Sequence, residues 1–409
     1  MISSSVSTVD DRPAIGSGFW TYWSSSTISS FGDSLRSAAL PLLAATMTHN
    51  PLLLSLVTVI SFLPWLVVGS WAGIVGDMFD PKTVMLVLNL ARFVLTAGFC
   101  VLLIAGYVNI ALICALSAVL TTVQIVFSGA ATSILPSLLD QAGLARGNGR
   151  LESGRSVLGG FVGAPVGAFL FGVGHTLPLA IDSVTFLVSA LLLVGVRPVR
   201  TAAVERKRAQ LMISEGIRFL AEEKTLPVIA GLLAAVNFVT TSISAVLVLY
   251  VIKALGAPNV VYGILTGSLA LGAFVAGFIA RTILRRLQVR TVVALAVAVR
   301  VTALVVAALA HDPVTASVAF FVQGLSMTVW NVTSTTLIQQ TVPKDMLSRA
   351  GTLVKTIAIS TAPLGALAGG ILAESVGLRA PMWVGAVILC AAGIGATVRL
   401  SQLHVKLNA

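Results

Sequence analysis

The amino-acid sequence predicts an all-α membrane protein in which twelve transmembrane helices form two six-helix pseudo-symmetric bundles around a central cavity. Composition, long apolar segments and an internal repeat lead to this expectation. Of the 409 residues, 57% are hydrophobic and only 10% are charged, whereas a soluble protein carries about 25% charged residues. The apolar runs are long and do not alternate with polar residues, which favours spanning helices over the strands of a membrane barrel.

Twelve hydrophobic segments are long enough to cross a bilayer as helices, which takes about 20 residues each. Their predicted limits are 18–47, 52–76, 82–107, 109–135, 147–173, 177–197, 226–254, 259–284, 290–310, 314–340, 351–375 and 380–401. The polar stretch 198–225 predicts a cytoplasmic linker with an amphipathic helix on the membrane surface. The expected domains are therefore an N-terminal bundle over 1–197, this linker, and a C-terminal bundle over 226–409.

The distribution of basic residues predicts the orientation of the chain. The net charge is +11, a value that in a soluble protein would suggest nucleic-acid binding. Here, of 26 Lys and Arg residues, 21 lie on the side of the membrane that carries both termini. Only Lys253 and Arg379 fall in connections on the opposite side, and three others lie within spans. Because positively charged connections stay in the cytoplasm, we expect both termini to be cytoplasmic, in a cell (inner or plasma) membrane, and no nucleic-acid partner.

The sequence shows no pattern typical of catalysis or of cofactor binding. Cys100, Cys114 and Cys390 all lie inside apolar runs and are expected to be buried free thiols. There is no GxxxxGK[ST] nucleotide-binding loop, no His, Cys and carboxylate cluster that suggests a metal, and no nucleophile–base set. We therefore expect that the protein is not an enzyme and that it binds no cofactor and no metal. The missing nucleotide-binding loop also excludes ATP-driven pumping by this chain alone.

The two halves of the sequence repeat one another. Lys82-Thr83-Val84 followed by Arg92 matches Arg290-Thr291-Val292 followed by Arg300, at an offset of 208 residues. GAPVGAFLFG at 163–172 matches TAPLGALAGG at 361–370. These matches predict a duplicated six-helix unit with the same topology in both copies. Such parallel repeats place a substrate site at their interface, near the membrane midplane.

Two glycine-containing segments carry a family resemblance: GIVGDMFDPK at 73–82 and GGFVGAPVGAFLFG at 159–172. The first resembles the helix 2–3 loop signature of the major facilitator superfamily, and the second resembles its helix 5 antiporter signature. Segments 28–43, 179–193 and 324–343 are similar to helices 1, 6 and 10 of its drug:proton antiporter members, related to macrolide and siderophore exporters. The chain departs from the pattern at Met78, Pro81 and Ala164, and helix 4 has no buried arginine.

The resemblance implies a secondary active transporter that exports hydrophobic or amphipathic small molecules, such as antibiotics, by proton antiport and alternating access. Its expected partners are the small-molecule substrate, protons and the lipid bilayer, and the expected state is a monomer. Efflux of this kind confers multidrug resistance. Other functions on the same fold stay open: a solute importer or uniporter, a lipid or siderophore transporter, or a membrane sensor that transports nothing.

A carboxylate near the middle of the first helix is the first candidate for proton coupling. Asp33 lies among apolar and hydroxyl residues, where a charge is costly and a proton could be bound from one side and released to the other. Arg36, one turn along the same face, could poise Asp33 or contact an anionic substrate group. The alternative is a structural ion pair of Asp33 with Arg36 or with Arg92.

Three further charged residues lie within predicted spans. Asp182 is a few residues into helix 6, which is usually peripheral in the resembled fold, so a structural role is favoured. Arg92 and Arg300 occupy equivalent places in the two repeats, and a substrate site would have little reason to be duplicated. A packing or capping role is therefore favoured for both arginines, although the sequence does not decide between structure and function.

The residues around the connection at 73–82 predict a cytoplasmic gate. The resemblance implies that Asp77 meets the amino end of helix 11, near Gly351 and Thr352, when the gate is closed, where the helix dipole stabilises a carboxylate. The other residues assigned to this gate are Gly73, Asp80, Lys82 and Arg155. The alternative is that these charges only mark helix ends and set the topology.

Glycines and prolines in helices 5 and 11 predict a hinge. The residues are Gly159, Gly163, Pro165, Gly167, Pro363 and Gly365. We expect these thin faces to pack against helices of the other half, so that the halves can rock; plain packing is the alternative.

Polar and aromatic residues on four helices predict a cavity for a bulky amphipathic ligand. The candidate residues are Tyr22, Phe31, Gln124, Asn237, Thr241, Gln323, Trp330 and Asn331.

Overall fold

The computed structural model describes residues 16–68, 80–139, 141–196, 225–342 and 347–402 of the protein. The predicted gate residues Gly73 and Asp77 lie outside the described residues. The predicted linker lies outside them too, except for its last residue, Thr225.

The described residues form helices that we label α1 to α12 in chain order. Two of them include π-helical turns. Helix α5 runs through Gln141–Gly154, the π-helical Arg155–Gly163 and Ala164–Val173, and α7 runs through Thr225–Leu249 and the π-helical Tyr250–Ala254. The others are α1 Ser17–Met47, α2 Pro51–Val68, α3 Pro81–Ile104, α4 Ile110–Leu138, α6 Leu177–Val194, α8 Val260–Arg286, α9 Val289–Leu309, α10 Pro313–Thr341, α11 Leu347–Ser375 and α12 Ala380–Gln402.

Two helices begin with the same local chemistry, an aspartate followed by a proline. Asp80 Oδ2 accepts from the backbone N of Thr83 at 3.0 Å and caps α3, and Asp312 Oδ1 accepts from the backbone N of Thr315 at 2.9 Å and caps α10. Proline is favoured in the first turn, where its missing N–H has no partner to lose. The hydrogen bond from Thr315 also lowers the pKa of the exposed Asp312 carboxyl.

Eleven helices in the described part of the chain are long and apolar enough to cross a membrane. Helix α1 has 31 residues but is not among the eleven. Its sequence is interrupted by serines and by Asp33 and Arg36, and many of its polar side chains, such as those of Ser25, Ser26 and Ser29, are buried in the protein. The predicted count of twelve spans depends on α1 and stays a prediction.

The helices of the two halves pack in corresponding pairs. Helix α1 packs against α5 and α6, α2 against α4, and α3 against α4 and α6. The same pairs shifted by six helices are also in contact: α7 with α11 and α12, α8 with α10, and α9 with α10 and α12. The contacts therefore follow the order of the repeat in the sequence.

The two halves meet along two helix pairs, α2 with α11 and α5 with α8. A Cβ added to Gly263 would lie 2.9 Å from Pro165 Cα, so the absence of a side chain brings α5 and α8 together. Asn50 Nδ2 donates to Glu374 Oε1 at 2.9 Å between the α1–α2 connection and the end of α11. We call the side of the protein that carries this hydrogen bond the joined face.

The hinge glycines pack against their own half, which corrects the sequence-based expectation for them. A Cβ on Gly167 would lie 2.8 Å from Leu35 Cα of α1, and one on Gly369 would lie 2.7 Å from Ser242 Cα of α7. Gly159 and Gly163 likewise face α1, and Gly365 faces α7. Small residues allow close approach to any neighbouring helix, so their spacing did not reveal which helix is the neighbour. Of the predicted hinge residues, Pro165 contacts the other half.

The hydrogen bond of the joined face predicts a cross-link. Asn50→Cys and Glu374→Cys, placed together in a chain whose Cys100, Cys114 and Cys390 are replaced by serine, should react with a short bifunctional thiol reagent because the native side chains touch. The product is detected on a gel after proteolytic cleavage of the chain between the two sites. Each single-cysteine variant is the control, and a double variant that cross-links no more than these would contradict the described contact.

Candidate functional site

A cavity of about 430 Å³ lies between α1, α4 and α5, within the size range of small-molecule sites, about 300–1,000 Å³. On α1 its wall is a polar stripe of Ser26, Ser29, Ser30 and Asp33, which the helical period places on one face. Helix α4 contributes Gln124, Phe127, Ser128 and Thr132, and α5 contributes Asn148, Glu152 and Arg155. The cavity therefore combines hydroxyl and amide groups with charges of both signs.

Charged groups lie along the polar stripe of α1. Arg155 donates from Nε and Nη2 to Ser26 Oγ at 3.1 and 2.9 Å. Asp33 lies seven residues after Ser26 on α1, about 10 Å further along the helix at 1.5 Å per residue.

Arg155 is the first residue of the π-helical segment of α5. Because Pro165 has no N–H, the carbonyl of Phe161 cannot form the usual bond four residues ahead, and π-helical turns of this kind are frequent at functional sites.

Asp33 belongs to a charged network in which one guanidinium serves two carboxylates. Arg36 Nε donates to Asp182 Oδ2 at 2.9 Å, and Arg36 Nη2 contacts Asp33 Oδ1. The Asp182 side chain is 0% exposed, whereas the Asp33 side chain is 24% exposed and lines the cavity. A change in the charge of Asp33 can therefore alter the electrostatic environment of Asp182 through Arg36, which contacts both carboxylates.

Gly32 determines how closely α6 approaches this network. A Cβ at position 32 would lie 2.5 Å from Asp182 Oδ1 and would also overlap the hydroxyl of Thr185. Asp182 Oδ1 has no hydrogen-bond partner among the described residues. The position of Asp182 in α6 predicts a structural role, and the structure brings its carboxylate into direct contact with Arg36. The only hint in the sequence was the glycine immediately before Asp33.

Arg92 completes the charge balance of the N-terminal half. It is 1% exposed, and its guanidinium carbon lies 4.6 Å from the ring centre of Phe127 and 5.2 Å from that of Phe186. Its nitrogens have no hydrogen-bond partner in the described part of the chain, and its charge is close enough to be attracted by Asp33 and Asp182 and repelled by Arg36. Two carboxylates thus share one region with two guanidinium groups.

The equivalent arginine of the second half has different surroundings. Arg300 is 5% exposed and donates from Nη2 to Thr240 Oγ1 at 2.7 Å, while its Nε and Nη1 have no partner among the described residues. Within those residues no carboxylate forms an ion pair with it. Arg92 and Arg300 therefore match in sequence but differ in electrostatic environment.

A sequence profile described as transmembrane secretion effector, within the major facilitator superfamily (MFS), matches residues 13–407. The chain belongs to this family. It is therefore a multi-pass membrane transporter of the MFS kind. Two relatives from Bacillus subtilis, both described as uncharacterized MFS-type transporters, agree with this. YvqJ is 23% identical over 351 residues, covering 83% of this chain and 82% of the relative. YfiS is 26% identical over 397 residues, covering 92% of each chain.

Solved structures with the same fold include transporters of different substrates. A bacterial homolog of the human lysosomal transporter Spinster, inward-facing and unoccupied, gives a TM-score of 0.74 at 13% identity and covers 93% of this chain and 96% of its own. The nucleoside transporter NupG gives 0.72 at 11% identity, with 96% and 100% covered. An inward-facing bacterial homologue of the iron transporter ferroportin gives 0.72 at 15%, with 94% and 98% covered. These similarities show that the protein shares the fold of these solved transporters.

Only some of the residues predicted to line a substrate cavity lie together in the transporter. Tyr22 and Gln124 line the cavity, but Phe31 does not. On α7 and α10, Asn237 donates to Leu233 O at 3.0 Å and Asn331 is exposed outside the cavity. Thr241, Gln323 and Trp330 are buried among the C-terminal helices. The cavity is thus formed by the first half.

The described gate residues of the transporter each have a local partner. Asp80 caps α3, and Lys82 Nζ donates to the carbonyl of Val194 at the end of α6 at 2.8 Å. Arg155 lies in the cavity and bonds Ser26. Their assignment to a gate stays a prediction.

The shared guanidinium predicts a stability ranking. Arg36→Met should lower the free energy of unfolding by about 3–5 kcal/mol, because it leaves the buried Asp182 without a counter-charge. Arg36→Met combined with Asp182→Leu should recover much of this loss, since the fully buried carboxylate is then removed together with its counter-charge. Thermal unfolding of the detergent-purified protein measures both. The prediction fails if the double variant is less stable than Arg36→Met alone.

The unequal surroundings of the two repeat-related arginines predict unequal effects. Arg300→Met should leave stability within about 1 kcal/mol of the parent or raise it, because an unpaired buried charge is removed. Arg92→Met should be more destabilising, because it leaves two carboxylates with one guanidinium. Midpoints of thermal unfolding of the two variants, compared side by side, check this order. Equal shifts would show that the pairing difference has no energetic consequence.

Proposed function

We propose that the transporter exports hydrophobic or amphipathic small molecules by proton antiport and alternating access, as a member of the drug:proton antiporter branch. The observation that supports this is the position of Asp33. It is partly exposed in a cavity of small-molecule size, and it shares Arg36 with the fully buried Asp182. A carboxylate in this position can exchange its proton with water in the cavity, while Asp182 keeps the arginine paired.

Competition for Asp33 supplies the coupling in this proposal. The ionised carboxylate attracts a cationic group of a substrate, whereas the protonated carboxyl carries no charge to attract it. Proton and substrate therefore bind in turn, which is the requirement for antiport. Arg36 stays paired in both states because protonation of Asp33 leaves the bond to Asp182 Oδ2 in place. The buried Asp182 therefore keeps its counter-charge throughout the cycle, and breaking this pair in the apolar interior would be costly.

The cycle uses the two faces of the protein. We propose twelve spans with α1 as the twelfth, two six-helix bundles that move against each other, and cytoplasmic termini as the positive charges indicate. In this orientation the joined face is on the outside and the cavity opens to the cytoplasm. Substrate enters there after the proton has left Asp33. The helix pairs α2–α11 and α5–α8 then part, and a proton from outside displaces the substrate.

A second candidate function is equilibration of a polar solute, as by an importer or uniporter. The observation that favours it is the hydroxyl-rich cavity wall, with Ser26, Ser29 and Ser30 on α1 and Ser128 and Thr132 on α4. Such a wall suits a ligand with several hydrogen-bonding groups. NupG, which has the same fold, is a transporter of nucleosides, and these are solutes of this chemistry. In this function the charged network would hold the helices in register without exchanging protons.

Asp33→Asn is expected to abolish gradient-driven export. The amide keeps the shape of the side chain but cannot take up a proton and carries no charge for a cationic group. The measurement is efflux from proteoliposomes with an imposed pH gradient, using a panel of lipophilic cations, macrolides and nucleosides. Asp312→Asn is the matched control, because asparagine also caps a helix and Asp312 is an exposed residue that does not line the cavity.

The outcomes separate the two candidates. Export that requires the gradient, fails in Asp33→Asn and persists in Asp312→Asn supports antiport. If Asp33→Asn still concentrates a compound against its gradient, Asp33 is not the coupling site. A parent protein that equilibrates a nucleoside but never concentrates any compound acts as a uniporter.

A further inference from the structure

A second concavity, of about 660 Å³, opens on the other side of the α1–α5 pair. Its α5 wall is the stripe Arg146, Arg150, Ser153 and Val157, whereas the cavity takes Leu144, Asn148, Leu151 and Arg155. The two stripes are offset by two residues, about 200° around a helix. The concavities therefore use nearly opposite faces of α5 and have no lining residue in common. We call the second one the Trp–Arg groove.

Two tryptophans and two arginines build the entrance of the Trp–Arg groove. The guanidinium carbon of Arg150 lies 4.9 Å from the ring centre of Trp20, and the rings of Trp20 and Trp23 meet edge to face at 5.8 Å. Trp23 Nε1 donates to the carbonyl of Arg150 at 2.9 Å, which holds α1 against α5. Trp20 remains 43% exposed. Tryptophan near the start of a span is typical of the headgroup level of a bilayer.

The groove carries positive charge that the described protein does not neutralise. Arg146 and Arg150 are one helical turn apart, and neither forms an ion pair with a carboxylate among the described residues. The nearby acid of α5, Glu152, lines the cavity and not the groove. The bond from Trp23 involves only the backbone of Arg150, so both guanidinium groups remain available to an anion.

Deeper along α5 the surface becomes apolar. Val157 and Leu158 line the groove, Leu158 is 37% exposed, and Phe161 is 38% exposed on the next turn. From Arg150 to Phe161 the chain advances about 16 Å at 1.5 Å per residue. The order is therefore aromatic and cationic near the helix start, then apolar toward the bilayer centre. A phospholipid has the same order from its phosphate to its acyl chain.

We propose that the Trp–Arg groove binds one anionic phospholipid from the leaflet on the side where α1 begins. Its phosphate lies between the guanidinium groups of Arg146 and Arg150, and an acyl chain lies along Val157, Leu158 and Phe161. Basic pockets between transmembrane helices recognise anionic headgroups in this way. Because the groove is separate from the cavity, the proposal does not depend on which molecule the transporter carries.

The test uses the full-length protein in vesicles of phosphatidylcholine that contain a small fraction of brominated phosphatidylglycerol. Bromine quenches tryptophan fluorescence at contact, and the part of the signal lost in Trp20→Phe belongs to the groove. We expect quenching at lower mole fractions of brominated phosphatidylglycerol than of brominated phosphatidylcholine. Arg146→Gln with Arg150→Gln should weaken this preference about 25-fold, on the order of fivefold per arginine.

The matched control is Arg285→Gln with Arg286→Gln, which removes the same charge from exposed residues at the end of α8, on the same side of the protein. This control should keep the preference. Equal loss in both variants would overturn the proposal, because a general surface potential would then explain the binding. A preference that persists in the Arg146 and Arg150 variant would also overturn it. Displacement by soluble glycerol phosphate would identify a free phosphate ligand in place of a lipid.

Discussion

The buried ion pair between Arg36 and Asp182 is the interaction on which the N-terminal half depends. Each charge loses several kcal/mol of solvation in the interior, and only a close, well-oriented partner compensates for this loss. Gly32 provides the space that lets α6 bring its carboxylate to α1. This contact fixes the rotation of α1, and the same rotation turns Ser26, Ser29, Ser30 and Asp33 toward α4 and α5. The pair and the cavity thus share one orientation of α1.

The two halves share a packing plan but differ in charge. The first half places two carboxylates and two guanidinium groups next to a polar cavity, whereas the second holds Arg300 with a threonine partner. Duplication explains the common backbone arrangement, since equivalent helix pairs form within the two halves. The two contacts between the halves, α2–α11 and α5–α8, are also equivalent to each other. In the proposed antiport this difference divides the labour: the first half responds to protons, and the second supplies the surface against which it moves.

Helix α5 links these features because every side of it has a different neighbour. Gly159, Gly163 and Gly167 lie against α1, Pro165 lies against Gly263 of α8, and Arg155 faces the cavity. The π-helical segment Arg155–Gly163 lies between the cavity and the contact with α8. A change in the hydrogen bonding of this segment would alter both at once, because each residue inserted into or removed from a helical turn rotates the side chains beyond it.

The sequence by itself determined that the protein is helical and membrane-embedded, because long apolar segments need no knowledge of their neighbours. It also singled out Asp33 and Arg36, since charges within apolar segments are conspicuous wherever they pack. The tertiary structure decided the partners. Asp182 proved to be the second carboxylate of Arg36, and Gly163 and Gly365 proved to face their own halves. Helical periodicity gives the face on which a residue lies but not the helix opposite that face, which depends on how all the spans pack together.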